Sequence, residues 1–239
     1  MVALLFRNKS PLKAGFTLIE LSIVLVIIGL VIGGVLVGQD LISSATIRAQ
    51  ISQIEKYRAA VNTFHGKYGY LPGDIPDPTA TQYGFTARWI NGGQGDGNGI
   101  LEGVNSGGPN QHWPWMQGAG ETVLFWRDLS DANLIDAAFS AANATAPPAG
   151  VPQGSMGQYL PPAKIGNNNY LFVYSGGLLA VQNFVANNYP VVGDGQNYFS
   201  LTQNPSEINS GQLLSPSPGL TVLQAYSMDV KMDDGLPQT

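Results

Sequence analysis

The chain has 239 residues, enough for one membrane segment and one globular domain of ordinary size. Charged residues make up only 11% and the net charge is −5, so a nucleic-acid-binding surface is not indicated, and an aromatic content of 10% argues against a disordered acidic tail. The sequence contains no cysteine, which excludes disulfides and thiolate metal sites.

The first feature along the chain is an apolar run at residues 16–38, whose single charged residue is Glu20. About 20 apolar residues span a bilayer as a helix, so the run predicts a transmembrane helix. Arg7, Lys9 and Lys13 precede it, and basic residues on this side predict a cytoplasmic N terminus. The run is longer than the apolar region of a secretory signal peptide, and no small-residue cleavage site follows it.

Glu20 needs an explanation, because a charged residue inside a bilayer costs roughly 2.5–3.5 kcal/mol and usually marks function. If the chain is cut between Gly15 and Phe16, Glu20 becomes the fifth residue, one helical turn from a new amino group. An amine at a helix N terminus is unfavourably placed against the helix dipole, and a carboxylate of a neighbouring chain could neutralise it. A simple membrane anchor would leave Glu20 unexplained.

The stretch KAGFTLIEL, residues 13–21, resembles the cleavage signal of type IV pilins and type II secretion pseudopilins. In that family a membrane peptidase cuts after the glycine of a short basic leader and methylates the new N-terminal residue. A glutamate four residues later aids subunit docking. The resemblance therefore assigns Gly15 and Phe16 to cleavage and N-methylation, and Phe16 and Glu20 to assembly. Pilins and pseudopilins share this signal, so it indicates the superfamily and not the role.

The resemblance implies a pilin-like α+β fold, with a long N-terminal helix packed on a small antiparallel sheet and extra loops and short helices. It divides the chain into a cleaved leader at 1–15, the transmembrane half of the helix at 16–38, its amphipathic half at 39–70, and a periplasmic or extracellular head at 71–239. The helical period itself continues past residue 38, because apolar residues recur at spacings of three or four. They form one stripe, which we expect to pack on its own domain: Ile47, Ile51, Ile54, Tyr57, Val61, Phe64 and Tyr68.

A turn at Pro72 and Gly73 ends this helix, and the glycine-rich stretch NGGQGDGNGILEG follows at 91–103. Asp96, Asn98 and Glu102 offer oxygen ligands on a tight loop, which suits Ca²⁺. The stretch does not fit the EF-hand pattern, and a flexible surface loop would explain its composition equally well.

The remaining pattern predicts a mixed head domain. We expect a helix at 121–139, a loop at 140–168, two strands within 169–186 joined at residues 175–177, a third strand at 198–201 and a loop at 203–219. A last helix follows, with Thr221 and Gln224 as its capping box. Near its end, three acids form a cluster that would bind a cation, pair with a basic group or cap a neighbouring element: Asp229, Asp233 and Asp234.

No catalytic motif is present, and His65 and His112 are the only histidines, so we expect no enzyme. The sequence predicts a pilin-like structural subunit of a type IV pilus or type II secretion pseudopilus. Its expected partners are prepilin peptidase, other pilin or pseudopilin subunits, the inner-membrane assembly platform and the inner membrane. Calcium is the only cofactor suggested. The alternative is a membrane-anchored envelope binding protein outside any filament, with Trp113, Trp115 and the glycine loop as its site.

Overall fold

The computed structural model describes residues 15–88, 95–101, 120–142, 153–175, 195–208, 212–217 and 219–232. It divides into two compact units, Met1–Ala45 and Thr46–Thr239. In chain order, the elements are α1 (Leu18–Tyr68), α2 (Thr79–Gln82), α3 (Glu121–Asp131), a 3-10 helix (Gln153–Gln158), β1 (Asn169–Ser175), β2 (Asn197–Ile208), β3 (Gln212–Ser217) and α4 (Val222–Met232). The α+β class predicted from the sequence is confirmed.

The long N-terminal helix is confirmed as α1, which has 51 residues. In the first unit its leucine, isoleucine and valine side chains are exposed. Among the described residues, α1 is the one helix long and apolar enough to cross a membrane, and none of its most apolar stretch is buried.

The second unit is built on the C-terminal part of α1, where the predicted apolar stripe faces the core. Ile47, Ile54, Tyr57 and Phe64 are buried, at the spacing that places them on one helix face. Tyr57 packs edge to face on the fully buried Trp126 of α3, with ring centroids 5.0 Å apart. This stripe therefore holds α3 against α1.

Two glutamines on α1 attach the segment that leads into β1. The buried Gln50 Oε1 accepts a hydrogen bond from the Ile165 amide at 3.0 Å. Gln53 accepts one from the Lys164 amide at 3.0 Å, and its Nε2 donates to the Pro162 carbonyl at 3.0 Å. These bonds satisfy backbone groups that the sheet does not pair.

The described strands form an antiparallel sheet in the order β1-β2-β3. β1 and the strand at 198–201 are confirmed, and β1 pairs with β2 from Asn169 opposite Gln203 to Ser175 opposite Asn197. Ser175, the first residue of the predicted hairpin turn, is the last residue of β1, whereas residues 176–177 and the predicted strand after them lie outside the described residues.

The predicted loop at 203–219 is wrong, because β2 continues to Ile208 and β3 follows. Proline and serine made this stretch resemble a loop. Pro205 lies where the β2–β3 register shifts between Gln203 and Ser206. Proline cannot donate a hydrogen bond to the ladder, so it is tolerated in a strand at irregularities of this kind.

The predicted helix at 121–139 is too long, since α3 ends at Asp131. Asn133 has a φ of 56°, a left-handed conformation that stops a helix and that asparagine adopts more easily than most residues. The chain then turns back and buries Ile135 and Phe139 in the core. The 3-10 helix likewise lies inside the segment predicted as a loop at 140–168.

The C-terminal helix is confirmed as α4, and so is its capping box. The Thr221 amide donates to Gln224 Oε1 at 2.9 Å, and the Gln224 amide donates to Thr221 Oγ1 at 3.2 Å. Met228 is buried, whereas the side chains of Leu223 and Tyr226 are exposed.

Candidate functional site

The predicted processing site lies just before α1. Gly15, Phe16 and Thr17 have no regular secondary structure, and Phe16 is 92% exposed. Apart from Gly15 and its chain neighbours, no described atom comes within 4 Å of the position that a Cβ on Gly15 would occupy. A peptide bond outside the helix and open on this side suits a peptidase, which needs an accessible backbone.

Glu20 lies in the first turn of α1, where it forms a reciprocal cap with Thr17. Its Oε2 accepts hydrogen bonds from the Thr17 amide at 2.8 Å and from Thr17 Oγ1 at 2.9 Å. The Glu20 amide donates to Thr17 Oγ1 at 3.3 Å. The cap therefore satisfies two amides near the helix N terminus, that of Thr17 through the carboxylate and that of Glu20 through the Thr17 hydroxyl. The carboxylate also lies at the positive end of the helix dipole.

A second group of acidic side chains gathers in the second unit. Asp74, Asp96 and Glu121 each offer an oxygen, and these atoms all lie within 4.8 Å of one another. Asp74 follows the turn after α1, and Glu121 is the first residue of α3, where the helix dipole favours a negative charge. Asp74 and Glu121 are buried, whereas Asp96 is exposed.

Alternate glycines of the loop around Asp96 hold the two buried acids through their amides. Gly95 donates to Glu121 Oε1 at 2.7 Å, Gly97 to Asp74 Oδ1 at 2.8 Å and Gly99 to Asp74 Oδ2 at 2.9 Å. Gly95 has a φ of 81°, and a Cβ there would lie 2.2 Å from the Ile75 carbonyl oxygen. No other residue fits at this position without moving the backbone.

Burial raises the pKa of Asp74 to about 6, and the nearby Asp96 carboxylate acts in the same direction. The amides of Gly99 and Gly97 oppose this shift because they stabilise the ionised form. Near neutral pH the cluster therefore holds charge at a cost, which a proton or a cation would relieve.

The set predicted to bind calcium is only partly brought together. Asp96 and Asn98 bind each other, since Asp96 Oδ1 accepts from the Asn98 amide and Oδ2 from Asn98 Nδ2, both at 3.0 Å. Asn98 Oδ1 accepts from the Ile100 amide at 2.7 Å, so that oxygen already closes the loop on itself. Glu102 lies outside the described residues.

Sequence reasoning missed Asp74 and Glu121 as neighbours of Asp96. The available signal in the sequence was weak. Asp74 follows the predicted first helix, before the glycine-rich stretch, and Glu121 begins the next predicted helix after that stretch. Of the other residues that the sequence analysis names, Asp229 lies on α4 and His65 is exposed on α1. His112, Trp113, Trp115, Asp233 and Asp234 lie outside the described residues.

A buried ion pair supports the turn that carries Asp74. Arg88 Nη2 donates to Asp128 Oδ2 on α3, and the Gly73 amide donates to the same oxygen at 2.6 Å. Arg88 Nε also donates to the Ile75 carbonyl at 3.2 Å. Burial raises the pKa of Asp128, and the Arg88 guanidinium opposes that shift. The backbone on both sides of Asp74 is thus tied to α3.

Comparison with known proteins bears on the N terminus. Residues 11–36 match the family model of the prokaryotic N-terminal methylation motif, the prepilin-type cleavage and methylation signal of type IV pilins and pseudopilins. The resemblance drawn from Gly15, Phe16 and Glu20 is thereby confirmed for this segment. Searches of curated proteins and of solved structures found no match to the chain.

Proposed function

We propose that this chain is a structural subunit of a type IV pilus or a type II secretion pseudopilus, cleaved between Gly15 and Phe16 and assembled into a helical filament. The match of residues 11–36 to the methylation motif carries the proposal. An apolar helix that starts directly after the cleavage position supports it.

Before assembly, residues 16–38 hold the subunit in the inner membrane, with the N terminus in the cytoplasm and the head at 71–239 in the periplasm. The basic residues before the apolar run support this orientation. The exposed apolar side chains of α1 need a cover, which is lipid at first and the helices of other subunits in the filament.

Glu20 serves both states in this proposal. In the single subunit, the cap with Thr17 lowers the cost of placing a carboxylate among apolar residues. Both bonds from Thr17 end on Oε2, so Oε1 can accept a bond from the methylated amine of Phe16 in a neighbouring subunit. The ionic contact forms among apolar helices, where it is stronger than in water.

Mass spectrometry of the protein purified from membranes tests the processing step. We expect a mature chain that begins with N-methylated Phe16, and an uncut chain in a matched strain that lacks prepilin peptidase. Replacing Gly15 with a bulky residue should also leave the leader in place. An intact leader on the wild-type chain in cells with active peptidase would refute the proposal.

A further inference from the structure

We draw no further inference here: the strongest candidate, the cluster of Asp74, Asp96 and Glu121 carboxylates between the turn after α1 and the start of α3, is an acidic cluster for which no second observation among the described residues points to a bound cation.

Discussion

At the residue scale, Glu20 is the side chain whose position needs most explanation, because it is charged and lies in an apolar segment. It is the only charged residue between Phe16 and Gly38, and its carboxylate is bound by Thr17 of the same chain. In the proposed function, this carboxylate is tolerated in the membrane because of its cap and also binds an amine of another subunit. Mutating Glu20 tests these two proposed roles separately.

We predict that Glu20→Ala leaves membrane insertion intact and reduces incorporation into filaments at least about tenfold, since a hydrogen bond to a charged group contributes about 1.5–3 kcal/mol. Comparing membrane and filament fractions by immunoblot measures both effects. Ser22→Ala is the matched control, because Ser22 is exposed on the same turn and, within the described part of the chain, its hydroxyl bonds only the Ile19 carbonyl. Normal filaments from Glu20→Ala would contradict the docking role.

Asp74 gives a second prediction at this scale, on the pH dependence of stability. Its pKa is raised to about 6 in the folded state from 3.8, so its protonated form stabilises the fold. That contribution is fully present below about pH 3.8 and is lost as pH rises through about 6. The shift corresponds to at most about 3 kcal/mol. Asp74→Asn should therefore remove part of the fall in unfolding free energy between pH 4 and pH 7.

Urea unfolding of the detergent-solubilised chain, followed by tryptophan fluorescence, measures this difference. Asp136→Asn is the control, because Asp136 is exposed and its pKa is lowered by Lys56, which places its effect at lower pH. An unchanged dependence of the unfolding free energy on pH in Asp74→Asn would contradict the raised pKa of Asp74.

Thermal unfolding with and without added calcium tests the sequence prediction of a calcium site in the loop at 91–103. A bound ion should raise the melting temperature and Asp96→Asn should abolish that rise, whereas no rise in the wild type would refute calcium binding.

At the scale of elements, the helices were more predictable than the sheet. The spacing of residues such as Ile47, Ile54 and Phe64 gives α1 directly, because an amphipathic helix repeats its apolar residues locally along the chain. β3 was missed because a proline is compatible with a strand only where its missing amide is not needed for the ladder, which the sequence does not show. The end of α3 was missed because it follows from the left-handed backbone conformation of Asn133, which asparagine does not always adopt. The contact of Asp74 with Asp96 and Glu121 depends on the complete fold, which no local pattern encodes.

The link between α3 and the turn after α1 gives a prediction at this scale. Asp128→Ala leaves Arg88 buried without its partner, which should cost about 3–5 kcal/mol of unfolding free energy. Asp131→Ala is the matched control one turn away, because its pair with Arg127 is partly exposed and should contribute about 1 kcal/mol or less. Chemical unfolding of both variants checks this. Equal losses would show that the buried pair does not hold the turn.

At the scale of the whole molecule, the proposed function rests on a division of the chain between a membrane segment and a periplasmic head. The apolar half of α1 can be covered by lipid or by other helices, and the rest of the chain has its own core in the second unit. Because the sequence contains no cysteine, one introduced thiol reports the position of a single residue without background.

We predict that a cysteine at Ser140, which is exposed in the second unit, reacts with a membrane-impermeant maleimide in intact spheroplasts. A cysteine at Gly29 should not react, because that residue lies in the proposed membrane segment. Labelling of position 140 only after lysis would refute a periplasmic head.

A fluorescent maleimide on the same cysteine shows where the mature subunit is located in whole cells. Fluorescent fibres on the cell surface indicate a pilus. Fluorescence confined to the envelope, together with loss of protein secretion when the gene is deleted, indicates a pseudopilus. Mature chain that never enters a fibre would instead favour the envelope-anchored binding protein, because cleavage alone does not require assembly.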